Sequence, residues 1–400
     1  MRTLNIGIIG LGCVGMGVVE ILERNQTWIA QRCGCLLQIR KGVVRDLSKK
    51  RTLSFALSDC VEDILKDPKI DIVVELMGGV QDAFSVAQRA LQNNKAFVTA
   101  NKAMLAEYYH PLQRLAKKAI GFEASVGGGL PIVNALKEGL GANQILFLAG
   151  ILNGTSNFIL DQMELGAHFT QALQQAQALG YAEADPSLDL SGEDSAHKLS
   201  ILATLAFHTQ PTLNYLEGIE CIESIDLQHA RHLGYRIKLL ASAWRCGQSL
   251  ALVVRPTLIP QAHFLAQVDG VMNGMVIIGD CVGETFFYGA GAGGLASASA
   301  VVSDLMAVAK NPNPAPPLET LTYNYTDMPH AYYLRLDPLD LTSIVSILNT
   351  HAIQLDSYQV EHNQVICITK PTTQDRVQKV LHHFQQNHQN ARALAIYESP

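Results

Sequence analysis

Charge is scarce in this chain. Lys, Arg, Asp and Glu make up 16% of its 400 residues against 48% hydrophobic, a balance that excludes disorder and leaves material for a large core. The formal net charge is −6 and no long basic run occurs, so no nucleic-acid partner is expected. No uninterrupted apolar run approaches the ~20 residues that span a bilayer, so no membrane partner is expected either. Among eight cysteines there is no Cys-x-x-Cys pair, only Cys33 and Cys35 lie close together, and no Cys/His spacing fits a zinc site. The opening MRTLNIGIIGLG lacks the charged-then-apolar layout of a secretion signal. Reduced thiols in a cytoplasmic compartment are the expectation. The length calls for two or three domains.

Leu4–Ile9 is a short isoleucine-rich run ending in glycine, as a buried parallel strand does. Val14–Leu22 follows with helical spacing. Ile70–Met77 and Ala96–Ala100 are strand-like, and Asp82–Asn93 and Ala103–Lys118 helix-like. This alternation predicts βαβ units on a parallel sheet. Further on, Gly129–Leu140, Thr155–Glu164, Thr170–Leu179 and Glu193–His208 read as helices. Ile145–Leu152, Tyr235–Trp244, Ala251–Leu258 and Met275–Gly279 read as strands. That grouping predicts an α+β domain, closed by a helix over Leu295–Lys310. Asn311–Pro317 holds four prolines in seven residues, a density that breaks helices and sheets and marks a boundary. Beyond it the order is strand, helix, strand, strand, helix, strand.

Gly10-Leu-Gly12-Cys13-Val14-Gly15 fits G-x-G-x-x-G between the first strand and the first helix. The three glycines serve a tight turn, close approach of a pyrophosphate, and close helix–strand packing. The helix N-terminus offers free N–H groups to the anion. A dinucleotide cofactor is therefore expected. The second strand ends near Val43-Val44-Arg45-Asp46. An acid there would hold the ribose of NAD, and an arginine the 2′-phosphate of NADP. Lys49, Lys50 and Arg51 tilt the expectation toward NADP, with NAD possible.

Two further segments carry unusual chemistry. Thr99-Ala-Asn101-Lys102 follows a strand-like run, so Lys102 stands where parallel strands deliver active residues. Gly180–Lys198 holds Glu183, Asp185, Asp189 and Asp194 ahead of Lys198. Asp194 and Lys198 share one helix face beside Leu199, Leu202 and Leu205. A surface ion pair would account for that pairing by itself, but an acid and a lysine beside apolar packing suggest a site.

This segment resembles the homoserine dehydrogenase signature, through Ala176, Gly180, Tyr181, Asp185-Pro186, Asp189-Leu190, Gly192, Asp194 and Lys198. Thr99–Ala103, Gly121–Pro131, Gly150–Phe158 and Gly289–Ala298 agree with it, and the likeness runs from residue 4 to about 310. The resemblance implies an α/β Rossmann-like nucleotide-binding domain over 1–135. An α+β catalytic and dimerisation domain would follow over 136–310, its last helix returning to the first domain. It implies NAD(P)H-dependent reduction of aspartate semialdehyde to homoserine, a step toward threonine, methionine and isoleucine. Carried over, Lys198 is the acid/base, Lys102 a second active-site lysine, and Glu183, Asp194 and Asp189 hold the substrate. Gly10, Gly12, Cys13, Val14, Gly15, Arg45, Thr99, Lys102, Gly180 and Gly291 surround the cofactor. Glu123, with the carbonyls of Val126, Gly128 and Leu130, would bind a monovalent cation such as sodium. A homodimer or homotetramer is implied.

After a proline-rich linker over 311–325, residues 326–400 resemble an ACT domain, a βαββαβ module that often senses amino acids. Its first turn, Asp337-Pro338-Leu339-Asp340, lacks the family's glycine. A leucine side chain there would obstruct a ligand that approaches the backbone. Threonine inhibition is thus expected to be weak or absent, with the module serving assembly. Two other classes compete with this reading. A semialdehyde dehydrogenase that oxidises aldehydes needs a cysteine nucleophile, and none of the eight sits in such a motif. A nucleotide sensor without chemistry would have no use for Lys102, Asp194 and Lys198.

Overall fold

A computed structural model describes residues 1–314, 321–337, 340–361 and 364–398. They form two compact units. The first comprises Met1–Gln144, His197–Pro211 and Phe287–Leu321, and the second Ile145–Ala196, Thr212–Phe286 and Thr322–Pro400.

Six short strands build the first unit's sheet: β1 (Arg2–Ile9), β2 (Cys35–Val43), β3 (Ala56–Ser58), β4 (Ile72–Glu75), β5 (Ala96–Thr99) and β6 (Ile120–Gly121). Every pairing is parallel, and the order β3-β2-β1-β4-β5-β6 is that of a dinucleotide-binding sheet. The order reverses between β1 and β4, which leaves a crevice at their carboxyl ends. Ile6, Ile8, Ile72, Val74 and Val98 are buried, as strands covered on both faces must be. The helix Gly294–Lys310 packs its Ala298, Val301, Val302 and Leu305 into this core. A Cβ on Gly17 would stand 2.9 Å from that of Ala298, so the two helices meet closely. The helix Gly294–Lys310 belongs to the first unit.

Gly129–Leu140, expected as one helix, is instead a turn of α-helix, Ile132–Asn134, followed by a π-helix, Ala135–Gly139. Gly127 and Gly128 adopt φ of +71° and +53°, which a right-handed helix cannot include. Pro131 then serves as the N-cap. The wide turn places Leu140 N–H 2.7 Å from the Ala135 carbonyl, an i to i+5 bond. The helix Gln26–Cys33 went unforeseen because its eight residues carry little apolar periodicity.

The second unit's sheet holds β7 (Ile145–Ile151), β8 (Tyr215–Leu216), β9 (Tyr235–Cys246), β10 (Ser249–Pro260), β11 (Met272–Gly279), β12 (Gly283–Ala290), β13 (Tyr332–Leu336), β14 (Leu355–Glu361), β15 (Gln364–Thr369) and β16 (Ala391–Ile396). Its order is β12-β11-β7-β9-β10-β16-β13-β15-β14, with β8 beside β10. β9 and β10 form a long hairpin around Gly247, whose φ of +57° suits the tight turn.

The C-terminal elements appear in the order read from the sequence, with helices Leu341–Thr350 and Gln374–Gln386. Pro338 and Leu339 of the unusual turn lie outside the described residues. This segment has its own core of Tyr332, Leu334, Leu336, Ile344, Phe384 and neighbours. It nevertheless falls within the second unit rather than standing apart, because β16 pairs in parallel with β10 at Thr257 and Leu258. The proline-rich stretch is not a free spacer at its start, since the Pro312 carbonyl accepts a bond from Ala119 N–H. Residues 315–317 of it lie outside the described residues.

A buried ion pair fastens β13. Arg335 donates from Nε and Nη2 to the two oxygens of Asp226, at 2.7 and 3.1 Å. Asp226, on the helix Ser224–His232, is fully buried and also accepts from Tyr333 Oη. Removing one partner of a buried pair leaves an uncompensated charge and costs about 3–5 kcal/mol. Asp226→Ala should therefore lower unfolding stability by that order in chemical denaturation, and Asp226→Leu with Arg335→Met should recover part of the loss. An Asp226→Ala variant as stable as the parent would remove the pair from any fastening role.

Candidate active site

The glycine-rich turn is shaped as its residues require. Gly10 has φ of +98°, and a Cβ there would sit 2.4 Å from the Leu76 carbonyl oxygen. A Cβ on Gly15 would lie 2.2 Å from the Gly10 oxygen, so the first helix packs directly on the strand end. At Gly12 a Cβ would meet nothing within 4 Å, so that backbone faces open space. Gly12 is the N-cap of the helix Cys13–Arg24, and no side chain caps it. The first N–H groups of that helix are thus available to an anion. Cys13 is exposed, with the start of the helix Gly294–Lys310 beside it: a Cβ on Gly294 would come 2.5 Å from Cys13 Sγ. Gly291, in the loop before that helix, lies against Gly128, whose Cβ would be 2.5 Å from the Gly291 oxygen.

At the carboxyl end of β4 stands a residue that the sequence did not single out. Glu75 is fully buried, accepting a 2.6 Å bond from Thr99 Oγ1 and a 2.8 Å bond from Met77 N–H. Burial raises its pKa against the pull of those bonds. Thr99 Oγ1 in turn accepts from Asn101 N–H, and Asn101 Nδ2 donates 2.6 Å to the Gly79 carbonyl. Asn101 also caps the helix Lys102–Leu115 through Met104 N–H. Glu75 therefore ties the loop after β4 to the segment that presents Thr99 and Lys102. Lys102 begins its helix, half-buried.

Arg45 and Asp46 follow β2 and are exposed. Asp46 is committed to a turn, accepting from Ser48 Oγ at 2.5 Å and Ser48 N–H at 2.9 Å, which hold its carboxyl below the ordinary range. Arg45 makes no ion pair or hydrogen bond among the described residues.

Glu123 is buried, with Oε1 accepting from Val133 N–H and Oε2 from Asn134 N–H, each at 2.8 Å. Burial raises its pKa, opposed by those bonds and by Lys137. Lys137 lies 3.6 Å over the Phe122 ring, and burial pushes its pKa down to about 8. Asp304 accepts from Glu123 N–H at 2.8 Å. Each Glu123 oxygen keeps a second lone pair, and the carbonyls of Val126, Gly128 and Leu130 lie in the loop just beyond it. Among the described residues, no cluster of three or more His, Cys, Asp or Glu could hold a metal ion.

In the second unit, one amide gathers two of the expected carboxylates. Asn153 Nδ2 donates to Asp189 Oδ1 at 2.6 Å and to Asp194 Oδ2 at 2.9 Å. Its Oδ1 accepts from Ser156 N–H and Ser156 Oγ, both at 2.8 Å, so the amide orientation is fixed. Asn153 caps the helix Gly154–Glu164 at the end of β7. Asp194 is 3% exposed at the start of the helix Glu193–Phe207, and Lys198, half-buried, is one turn further on the same face. Gly192, with φ of +85°, makes the turn into that helix. Gly180, with φ of +74°, ends the helix Phe169–Ala178, and Thr155 Oγ1 holds the next carbonyl, that of Tyr181. Glu183 stands exposed on the loop beyond, outside the Asn153 network.

Comparison with known proteins adds to this geometry. Residues 10–121 match the family model for the homoserine dehydrogenase NAD-binding domain, and residues 131–306 that for homoserine dehydrogenase. A Helicobacter pylori homoserine dehydrogenase is 51% identical over 313 residues, which is 77% of this chain and 74% of that protein. The chain belongs to the homoserine dehydrogenase family. It is an NAD(P)-dependent oxidoreductase. Homoserine dehydrogenase from Pseudomonas aeruginosa is 42% identical over 381 residues, 89% of this chain and 88% of its own length. The crystal structure of a Thiobacillus denitrificans homoserine dehydrogenase superposes with a TM-score of 0.95 at 39% identity, covering 100% of this chain and 99% of that one. A hyperthermophilic archaeal homoserine dehydrogenase in complex with NADPH matches 78% of this chain and 99% of its own, with a TM-score of 0.66 and 26% identity. No helix among the described residues is long and apolar enough to cross a membrane.

Glu75 offers a test. Glu75→Ala should raise the KM for the nicotinamide cofactor about tenfold, the scale of one lost charged hydrogen-bond network. Glu75→Gln, which keeps an acceptor for Met77 N–H and can donate to Thr99 Oγ1 in place of accepting from it, should stay closer to the parent than Glu75→Ala. Equal KM values across all three proteins would show that the Thr99 linkage does not shape the cofactor crevice.

Proposed function

We propose that this chain reduces L-aspartate 4-semialdehyde to L-homoserine with NADP(H), with Lys198 as the acid/base. The observation that carries the reading is the Asn153 bridge. It holds Asp189 and Asp194 together at the start of the helix that carries Lys198. Paired carboxylates suit a substrate's ammonium group, and we assign Glu183, Asp189 and Asp194 to it. Bound NADPH would supply the hydride to the aldehyde carbon. Negative charge then develops on the aldehyde oxygen, where a cationic proton donor lowers the barrier. Lys198 Nζ gives its proton to that oxygen, and recovers it in the reverse direction. Lys102 adds a second positive charge to the developing alkoxide.

Gly10, Gly12, Cys13, Val14 and Gly15 would cradle the pyrophosphate, with Thr99, Lys102, Gly180 and Gly291 completing the cofactor's surroundings. We assign Arg45 to the 2′-phosphate. The engagement of Asp46 with Ser48 supports this, since an acid held in a turn is a poor partner for a ribose hydroxyl. Glu123 and the carbonyls of Val126, Gly128 and Leu130 form an all-oxygen set suited to a hard monovalent cation, and we assign sodium to it. The division by role is nucleotide binding over 1–135, catalysis and dimerisation over 136–310, a linker over 311–325, and an ACT-like module over 326–400. That module would serve assembly of a homodimer or homotetramer in the cytoplasm.

Lys198→Ala should lower kcat by ~10²–10⁴-fold, the usual contribution of a positioned proton donor. Its NADPH affinity, read by cofactor fluorescence, should stay near the parent's. A variant that keeps most of its turnover would refute the acid/base role. For the cofactor, kcat/KM with NADP and with NAD should be measured in the parent and in Arg45→Ala. The ratio should move toward NAD, and an unmoved ratio means that Arg45 does not read the 2′-phosphate.

A further inference from the structure

A cavity of about 290 Å³ opens in the second unit, among β9, β10, the segment 325–330 and the start of the helix Gln374–Gln386. None of its residues belongs to the motifs described above. Its wall carries Arg255, which is 6% exposed. Arg255 Nη1 donates to Tyr332 Oη at 3.0 Å and to Gln374 Oε1 at 2.7 Å, both neutral acceptors. Among the described residues no carboxylate pairs with this guanidinium, and its Nε and Nη2 make no hydrogen bond. A buried cation without a counter-charge is costly, so its retention calls for a partner.

Two other lining residues each hold a buried, unpartnered polar atom: Trp244 Nε1 and His330 Nε2. The two rings meet edge to face, with centroids 5.0 Å apart. An indole N–H is a donor only, and it normally finds an acceptor when buried. Burial and Arg255 hold His330 neutral, its pKa pushed down to about 3. Asp327 lines the cavity as well, its oxygens accepting the N–H groups of Gln374 and Asp375.

We propose that this cavity is a binding site for a small carboxylate, taken by the open edge of the Arg255 guanidinium and the Trp244 indole N–H. An arginine fork matches a carboxylate in shape and charge. The volume admits a molecule of a few heavy atoms beyond the carboxylate. Asp327 would favour a ligand that also bears an ammonium group. Occupancy would join the β9–β10 hairpin to the C-terminal segment through one shared ligand.

The full chain has two tryptophans, and Trp28 is 60% exposed, so Trp28→Phe leaves Trp244 as the only indole reporter. This protein should be titrated at constant ionic strength with acetate, glycine and sulfate. A saturable change in Trp244 emission with acetate or glycine is expected, together with a rise in Tm that grows with ligand concentration. Binding of glycine but not acetate would support the site and add Asp327 to it. Arg255→Met should weaken binding at least about tenfold, the scale of a lost charged hydrogen bond. Should that variant unfold, Arg255→Lys keeps the charge without the fork, and Trp244→Phe can be followed by calorimetry. Both should bind more weakly than the parent. Lys198→Ala should bind these probes unchanged, which separates the site from the catalytic assignment. The proposal is overturned if neither carboxylate saturates, if sulfate binds as well as both of them, or if the Arg255 and Trp244 variants bind like the parent.

Discussion

Two carboxylates of like charge do not stay together without cause. Asp189 and Asp194 are held by the two protons of one amide, that of Asn153. The amide cannot turn, because Ser156 occupies its oxygen with two donors. Asn153 in turn is placed by the end of β7 and the helix it caps. The start of the helix Glu193–Phe207, and with it the place of Asp194, is tied to this hold. On the proposed reading, the arrangement gathers carboxylates where a substrate's ammonium group would bind.

The first unit solves the same problem in another way. Glu75 is a buried acid whose bonds come from neutral donors, a threonine hydroxyl and a backbone N–H. It organises the crevice end of the sheet without presenting its charge. Glu123 also bonds backbone N–H groups, those of the turn into the helix Ile132–Asn134. In each case a carboxylate is used as a bonding hub for loops rich in glycine, which have few side chains of their own to fix them.

What was legible in the sequence was what residue type alone enforces. Gly10, Gly12 and Gly15 stand where no side chain fits or where the backbone must be open, so their spacing declared the turn. The periods of the main strands and helices gave elements whose bounds move by up to three residues in the structure. Asn153, Glu75 and Lys137 were not legible, because their roles lie in partners distant along the chain. Asn153 meets Asp194 41 positions away, and Glu75 meets Thr99 24 positions away. The break in the expected helix over Gly129–Leu140 could have been read from the glycines before Pro131, but its π-turn could not. The C-terminal order of elements was legible, while its docking on β10 was not, since a two-residue strand pairing leaves no local mark.

That docking has a consequence for how the chain tolerates shortening. The outer edge of β10 is covered in two places, by β8 at Val253 and Val254 and by β16 at Thr257 and Leu258. Tyr397 follows β16 and fills part of the core under the catalytic sheet, beside Phe147 and Leu240. A chain ending at the proline-rich segment would lose more than a module. It would bare an apolar strand edge whose N–H and C=O groups can template other chains, and it would leave a hole where the tyrosine ring sat. The final strand is thus an edge guard for the middle of the protein, and shorter relatives of this fold need another device to cover the same stretch of backbone.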